Sequence, residues 1–171
     1  GSGSESCALT MDKILTKELL IKNKIKTSPF LRLTSKTTAQ EILDKLGVPL
    51  VIKPILGGSS VELYIIKTMD ELKKVPMGDH LFAEKFIKGR EFTVGVIDGK
   101  ALPIIEIVSV KGVYDYEAKY VSNSTNYLFE SLPPALEKTL QDIAQKVYVI
   151  TGSRDVARVD FILNAENEPY V

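Results

Sequence analysis

Hydrophobic positions in the first half of the chain switch between a helical and a two-residue period. Over residues 10–24, Met11, Ile14, Leu15, Leu19 and Leu20 fall mostly on one face of a helix, with Thr10 placed to cap it and Asp12 suited to its first turn. Ser28-Pro29 interrupts that period, and residues 30–33 predict a short strand. Thr37 or Thr38 caps a second helix through Leu46, which turns Ile42, Leu43 and Leu46 inward and stops at Gly47. A strand then runs through Leu50-Val51-Ile52-Lys53 to Pro54, another covers residues 61–67, and Thr68 caps a short helix over residues 69–75. This half reads β-α-β-loop-β-α, a compact α+β unit.

In the second half the two-residue period dominates. Residues 81–86, 91–97 and 101–108 predict three strands, joined by Lys88-Gly89 and by the hairpin signal Asp98-Gly99, and expected to pair as one antiparallel meander. Residues 111–127 carry four tyrosines and no clean period, and a connection that long inside a compact domain is usually functional. Pro133-Pro134 opens a long helix with Leu136, Leu140, Ile143, Ala144 and Val147 along one face and Gly152 at its end. Residues 156–163 predict a strand and 164–168 a turn toward another. The one soft boundary, near residues 75–80, divides the chain into 1–79 and 80–171.

Composition narrows the classes. At 171 residues and 44% apolar, the chain can bury a real core in one ordinary domain or two small ones, which argues against disorder. Acidic and basic residues balance at 22 each, so no global field attracts nucleic acid and any anion site must be local. Cys7 is the only cysteine, which rules out an internal disulfide and suits a reducing cytoplasm. His80 is the only histidine, which excludes histidine-rich metal sites. No apolar run approaches a membrane span, and no signal peptide is visible.

Three constellations carry candidate chemistry, each with a plainer alternative. Lys53 ends a buried strand just before Gly57-Gly58-Ser59-Ser60; an ammonium, bare amides and hydroxyls make a phosphate cradle, or else an ordinary turn beside a snorkelling lysine. It is not a Walker A loop, because the lysine precedes the glycines. In Val156-Ala157-Arg158-Val159-Asp160-Phe161, alternation puts Arg158 and Asp160 on one face, as a structural ion pair or as a metal–phosphate site. Glu84 at a strand end and Glu91 at the start of the next are solvated edge charges, or they flank a nucleoside.

Taken in order, the motifs resemble the D-alanine–D-alanine ligases of the ATP-grasp superfamily over nearly the whole chain. They are Ala8-Leu9-Thr10-Met11-Asp12-Lys13, Lys53-Pro54 with Gly58-Ser59-Ser60-Val61, Glu84-Lys85-Phe86-Ile87-Lys88-Gly89-Arg90-Glu91, Tyr116-Glu117-Ala118-Lys119-Tyr120 and Ala157-Arg158-Val159-Asp160-Phe161. Gly1-Ser2-Gly3 resembles the family's own lead-in and is expected to be native. The resemblance implies an ATP-grasp α+β fold, incomplete here: a lid subdomain with its lead-in over 1–79 and part of the catalytic subdomain over 80–171, antiparallel sheets with packed helices. It implies ATP and Mg²⁺ (or Mn²⁺) as cofactors, D-alanine as substrate, a homodimeric parent enzyme, and no nucleic acid or membrane partner. By the same resemblance Lys13 and Lys53 would hold ATP phosphates, and Gly58, Ser59 and Ser60 would cover them. Glu84, Lys85, Phe86, Ile87 and Glu91 would bind adenosine. Lys119 would reach the γ-phosphate, and Ser59 with Tyr120 would order the active-site loop. Arg158 would stabilise the acyl-phosphate and tetrahedral intermediates, and Asp160 would ligate the metal.

Two departures stand out. Glu62 stands where the family commonly has glycine, close to the expected phosphate site. The family's N-terminal domain, its Glu-x-Asn metal motif and its Gly-rich tail are not among these 171 residues, so the polypeptide alone is expected not to catalyse ligation. The alternatives are an isolated nucleotide-binding module or a different ATP-grasp carboxylate–amine ligase.

Overall fold

The computed structural model describes residues 1–58, 62–109 and 125–171; the expectations placed on Ser59, Ser60, Lys119 and Tyr120 fall outside them. The first departure from the sequence pattern is at Asp12. Two helices, α1 (Ser4–Met11) and α2 (Lys13–Lys22), replace the single one, because Asp12 adopts an extended backbone and its carboxylate accepts from the N–H groups of Ile14 (2.9 Å) and Leu15 (3.0 Å). Asp12 is therefore the N-cap, while the Thr10 hydroxyl donates back to Ser6 O. The break changes the inward face. Ile14, Lys17 and Leu20 are buried, whereas Met11 and Leu15 point outward. Residues 1–3 are built into the fold: Gly3 precedes α1, and the Ser2 hydroxyl accepts from Arg154 N.

Strands β1 (Phe30–Arg32), β2 (Leu50–Pro54), β3 (Tyr64–Ile66) and β4 (Leu81–Lys85) form a four-stranded antiparallel sheet in the order β1-β4-β2-β3. Helices α3 (Ala39–Leu46) and α4 (Met69–Leu72) pack against it. Each opens on a complete capping box, Thr38 with Glu41 and Thr68 with Glu71, which satisfies the first free N–H groups reciprocally. Their Ile42, Leu46 and Leu72 close a core over Leu50, Ile52 and Ile66.

The second sheet holds β5 (Gly89–Ile97), β6 (Lys100–Ala101), β7 (Ile105–Ser109), β8 (Thr125–Leu128), β9 (Val156–Asn164) and β10 (Pro169–Tyr170), in the order β10-β9-β5-β7-β8 with β6 on the end of β5. Asp98 and Gly99 both take positive φ (48° and 77°), as the two-residue hairpin turn between β5 and β6 requires. Gly89 pairs with Asn164 where the two strands approach so closely that a Cβ would run into the Leu163 backbone. The long helix α5 (Pro134–Ile150) lays Leu140, Ala144 and Val147 over Phe92, Val94 and Phe161.

The expected meander of residues 81–108 does not form. β4 pairs with β1 and β2, not with β5, and residues 86–88 carry the chain from one sheet to the other. Leu81, Phe82, Ala83 and Glu84 are all buried, so β4 is covered on both faces as the interior strand of its sheet. The change of sheet accordingly falls at 86–88 and not at 79/80. Nor does the lead-in belong to one side. On α2, Ile14 packs with Ile55 and Phe82, whereas Leu20 joins the core under Phe92.

Candidate functional site

Between the two sheets lies a cleft of about 770 Å³. Lys53 and Glu84 line one wall from β2 and β4, with Lys13 and Lys17 beside them from α2. Glu91, Thr93, Arg158 and Asp160 line the facing wall from β5 and β9, and Phe86 and Ile87 close the end where the chain crosses.

The first wall is organised by Glu84. Strand pairing sets it opposite Val51 and Phe30, deep in the sheet, so it is a buried group and not a solvated edge charge. Its Oε1 lies 2.5 Å from Lys53 Nζ and its Oε2 lies 2.8 Å from Lys17 Nζ, and the Ser28 hydroxyl donates to Oε2 at 2.7 Å. Burial alone would raise its pKa; the Lys53 and Lys17 charges outweigh burial and hold it at about 2. Burial in turn holds Lys17 below the ordinary lysine value, partly offset by Glu84. Lys53 Nζ also sits 5.5 Å above the Phe82 ring.

Lys13 braces the entrance to the Gly-rich turn. Its ammonium donates to the carbonyls of Pro54 (3.1 Å), Ile55 (3.3 Å) and Gly57 (2.8 Å), and burial followed by Lys53 lowers its pKa. With three lysines against one glutamate, this wall carries a net positive charge. Gly57 has φ 93°, and Glu62, beyond the turn, has φ 57°. A left-handed backbone there explains why a glycine suits position 62. The Glu62 carboxylate is taken up by His80 Nε2 at 3.1 Å.

On the facing wall, register sets Thr93 opposite Asp160, and the Thr93 hydroxyl donates to Asp160 Oδ1 at 2.7 Å. Arg158 grips both oxygens of Asp160 in a fork, 2.9 Å at each contact. The pair anticipated from alternation forms, and both side chains are exposed. An exposed pair adds little stability, so its place in the cleft is the more informative fact. Glu91 lies on the same face, two residues from Thr93. Lys85 is exposed and its N–H is taken by Pro29 O, while the N–H of Phe86 goes to Pro49 O. Among the described residues nothing accepts from the Ile87 N–H or donates to its carbonyl.

The predicted residues Lys13, Lys53, Glu84, Lys85, Phe86, Ile87, Glu91, Arg158 and Asp160 thus meet in one cleft. Gly58 is not among the residues lining it, and Ser59, Ser60, Lys119 and Tyr120 lie outside the described residues. Sequence reasoning missed Lys17, Ser28 and Thr93. The signal for Lys17 was its spacing of three from both Ile14 and Leu20, which puts a charge on the buried stripe of α2.

Known proteins resemble this chain in sequence and in fold. A D-alanine–D-alanine ligase from Bordetella petrii is 36% identical over 181 aligned residues, covering 100% of this chain and 56% of its own length. The crystal structure of a D-alanine–D-alanine ligase from Bacillus anthracis superposes with a TM-score of 0.83 at 36% identity, over 99% of this chain and 58% of that one. The Bacillus anthracis ligase complexed with ATP gives 0.80 at 30% identity, over 99% and 56%. The chain therefore spans a little over half the length of these relatives, and its α+β architecture is the ATP-grasp fold they share. The family described as the C-terminus of D-Ala–D-Ala ligase matches residues 20–171, and it is to this family that the chain belongs.

Proposed function

We propose that this chain forms the nucleotide-binding part of an ATP-dependent ligase that joins two D-alanines through an acyl phosphate, for peptidoglycan precursor synthesis. The observation that carries the reading is the cleft between two antiparallel sheets, with a lysine-rich wall facing the Arg158–Asp160 pair, in a fold matched by an ATP-complexed ligase.

In this reading adenosine lies at the crossing between the sheets. The backbone of Ile87, beside Lys85 and Phe86, reads the ring edge, and Glu91 binds the ribose hydroxyls. Glu84 accepts from the adenine amino group while holding its lysines, since each carboxylate oxygen has more than one acceptor site. Lys53 and Lys13 supply positive charge to the phosphates, and Gly58, Ser59 and Ser60 cover them. Lys119 reaches the γ-phosphate, and Ser59 with Tyr120 orders the loop around it. Arg158 stabilises charge on the acyl phosphate and on the tetrahedral intermediate that the second D-alanine's amine forms. Catalysis is then positioning and charge neutralisation.

Asp160 is the residue to hold Mg²⁺ or Mn²⁺. It offers hard oxygen donors on the exposed wall of the cleft, and phosphate and water oxygens would share the coordination with it. The ion, when bound, supplies further neutralisation of phosphate charge. A cytoplasmic reaction fits the supply of ATP and the lone cysteine, and no described helix is long and apolar enough to cross a membrane. The balanced charge supports a reading without nucleic acid, and the resemblance supports a homodimeric enzyme. The test is ADP release by the protein carrying this chain, with and without D-alanine, together with mass analysis of the product. D-alanine-dependent ADP matched by dipeptide is expected; D-alanine-independent release, or another product, overturns the assignment.

A further inference from the structure

Lys17 has none of the roles set out above, yet it is the one buried lysine among the described residues. Its ammonium donates to Thr27 Oγ1 at 2.7 Å and to Ser28 Oγ at 2.8 Å, lies 2.8 Å from Glu84 Oε2, and approaches Ser28 O at 3.3 Å. An ammonium has three N–H groups, so none is left over for a ligand. Ser28 ties the arrangement tighter, accepting from Lys17 and donating to Glu84 Oε2. Lys53 takes the other oxygen, Oε1, and among the described residues Glu84 is its only ion-pair partner. Lys53 remains partly open to the cleft.

Two cations on opposite oxygens of one carboxylate differ physically from one. A single lysine on Glu84 would make a neutral pair whose field toward the cleft is that of a dipole. With Lys17 on the other oxygen of the carboxylate, the cluster keeps a net positive charge, and in a partly buried wall that charge is weakly screened. Lys17 and Ser28 also stop the carboxylate from swinging, which fixes the direction in which Lys53 is held.

We propose that Lys17 is a positioning residue for the polyphosphate end of the nucleotide: it anchors Glu84 by the oxygen that Lys53 does not take, aims Lys53, and keeps that wall cationic toward a triphosphate. This rests on the reading of the cleft as an ATP site.

The experiment compares Mg-ATP with adenosine, which lacks the phosphates. Binding of each to the wild type, Lys17→Met, Lys53→Met and the double variant is measured by calorimetry, directly for Mg-ATP and by competition for adenosine. Lys17→Met is expected to weaken Mg-ATP about tenfold or more, the scale of one charge-assisted contact, while adenosine, which meets Glu84 only through the adenine amino group, weakens several-fold less. Because Lys17 acts through Lys53, the double variant should lose little more than Lys53→Met alone. Lys17→Arg, which restores the charge, should recover most of the Mg-ATP affinity. If Lys17→Met does not fold, Lys17→Gln, which keeps a donor to Glu84, carries the same comparison. Equal losses for Mg-ATP and adenosine, or additive losses with Lys53→Met, would make Lys17 a residue that only holds the fold, and would overturn the proposal while leaving the ATP site standing. A wild type that binds no Mg-ATP would overturn both.

Discussion

Protonating Glu84 should remove a defined share of the protein's stability, and Glu84→Gln isolates that share. The folded carboxyl sits at about 2 against an ordinary value of 4.5 because Lys53 and Lys17 outweigh the cost of burying it. At ~1.4 kcal/mol per unit, the difference of about 2.5 units corresponds to roughly 3–4 kcal/mol. Since the folded value is the lower one, the unfolded chain takes up the proton first. The contribution is therefore complete well above pH 4.5 and disappears as the pH falls toward 2. About 1 kcal/mol of it should be gone at pH 4 and about 2 kcal/mol at pH 3. Glutamine cannot titrate, and it leaves the Lys17 ammonium buried without a countercharge, a defect of roughly 3–5 kcal/mol at neutral pH. Urea unfolding of wild type and Glu84→Gln at pH 7, 4 and 3 makes the comparison, with the two curves converging on acidification. Other carboxylates held low, such as Glu106 beside Arg90, titrate in both proteins and cancel. If the gap between wild type and variant stays constant from pH 7 to pH 3, the paired lysines do not hold Glu84 ionised, and the electrostatic account of the cleft wall fails.

Two further predictions concern the phosphate end. Lys53→Ala should weaken Mg-ATP by roughly 1.5–3 kcal/mol, the range for a hydrogen bond to a charged group, and calorimetry giving the wild-type affinity would remove Lys53 from the site. Glu62→Gly should leave stability unchanged or raise it slightly in thermal melts, since it relieves a left-handed backbone (φ 57°) costing roughly 1–2 kcal/mol and loses only an exposed contact with His80 worth under about 1 kcal/mol. A loss above about 1 kcal/mol would mean that the His80 contact is holding the turn.

Local chemistry made much of the molecule legible in advance. Thr38 and Thr68 cap helices because a hydroxyl three residues before a glutamate satisfies N–H groups within one turn. Asp98-Gly99 turns a hairpin because those two residues tolerate positive φ. Alternation placed Arg158 and Asp160 on one face because the strand period is two. The motif order identified the family, and with it the cleft residues, without any pairing being known. Where the pattern misled, the deciding interaction was either a competing local one or lay far off in sequence. At Asp12, the carboxylate's bonds to the amides of Ile14 and Leu15 outweighed a continuous apolar stripe and turned Met11 and Leu15 outward. Periodicity tells which residues of 81–86 share a face but not which strand lies alongside. That was decided by burial on both faces between β1 and β2, with partners some 30 to 50 residues away. The same holds for Lys17: sequence shows a lysine on an apolar stripe, and only the packing of α2 against β4 brings it to Glu84, 67 residues on, where the two buried charges compensate each other.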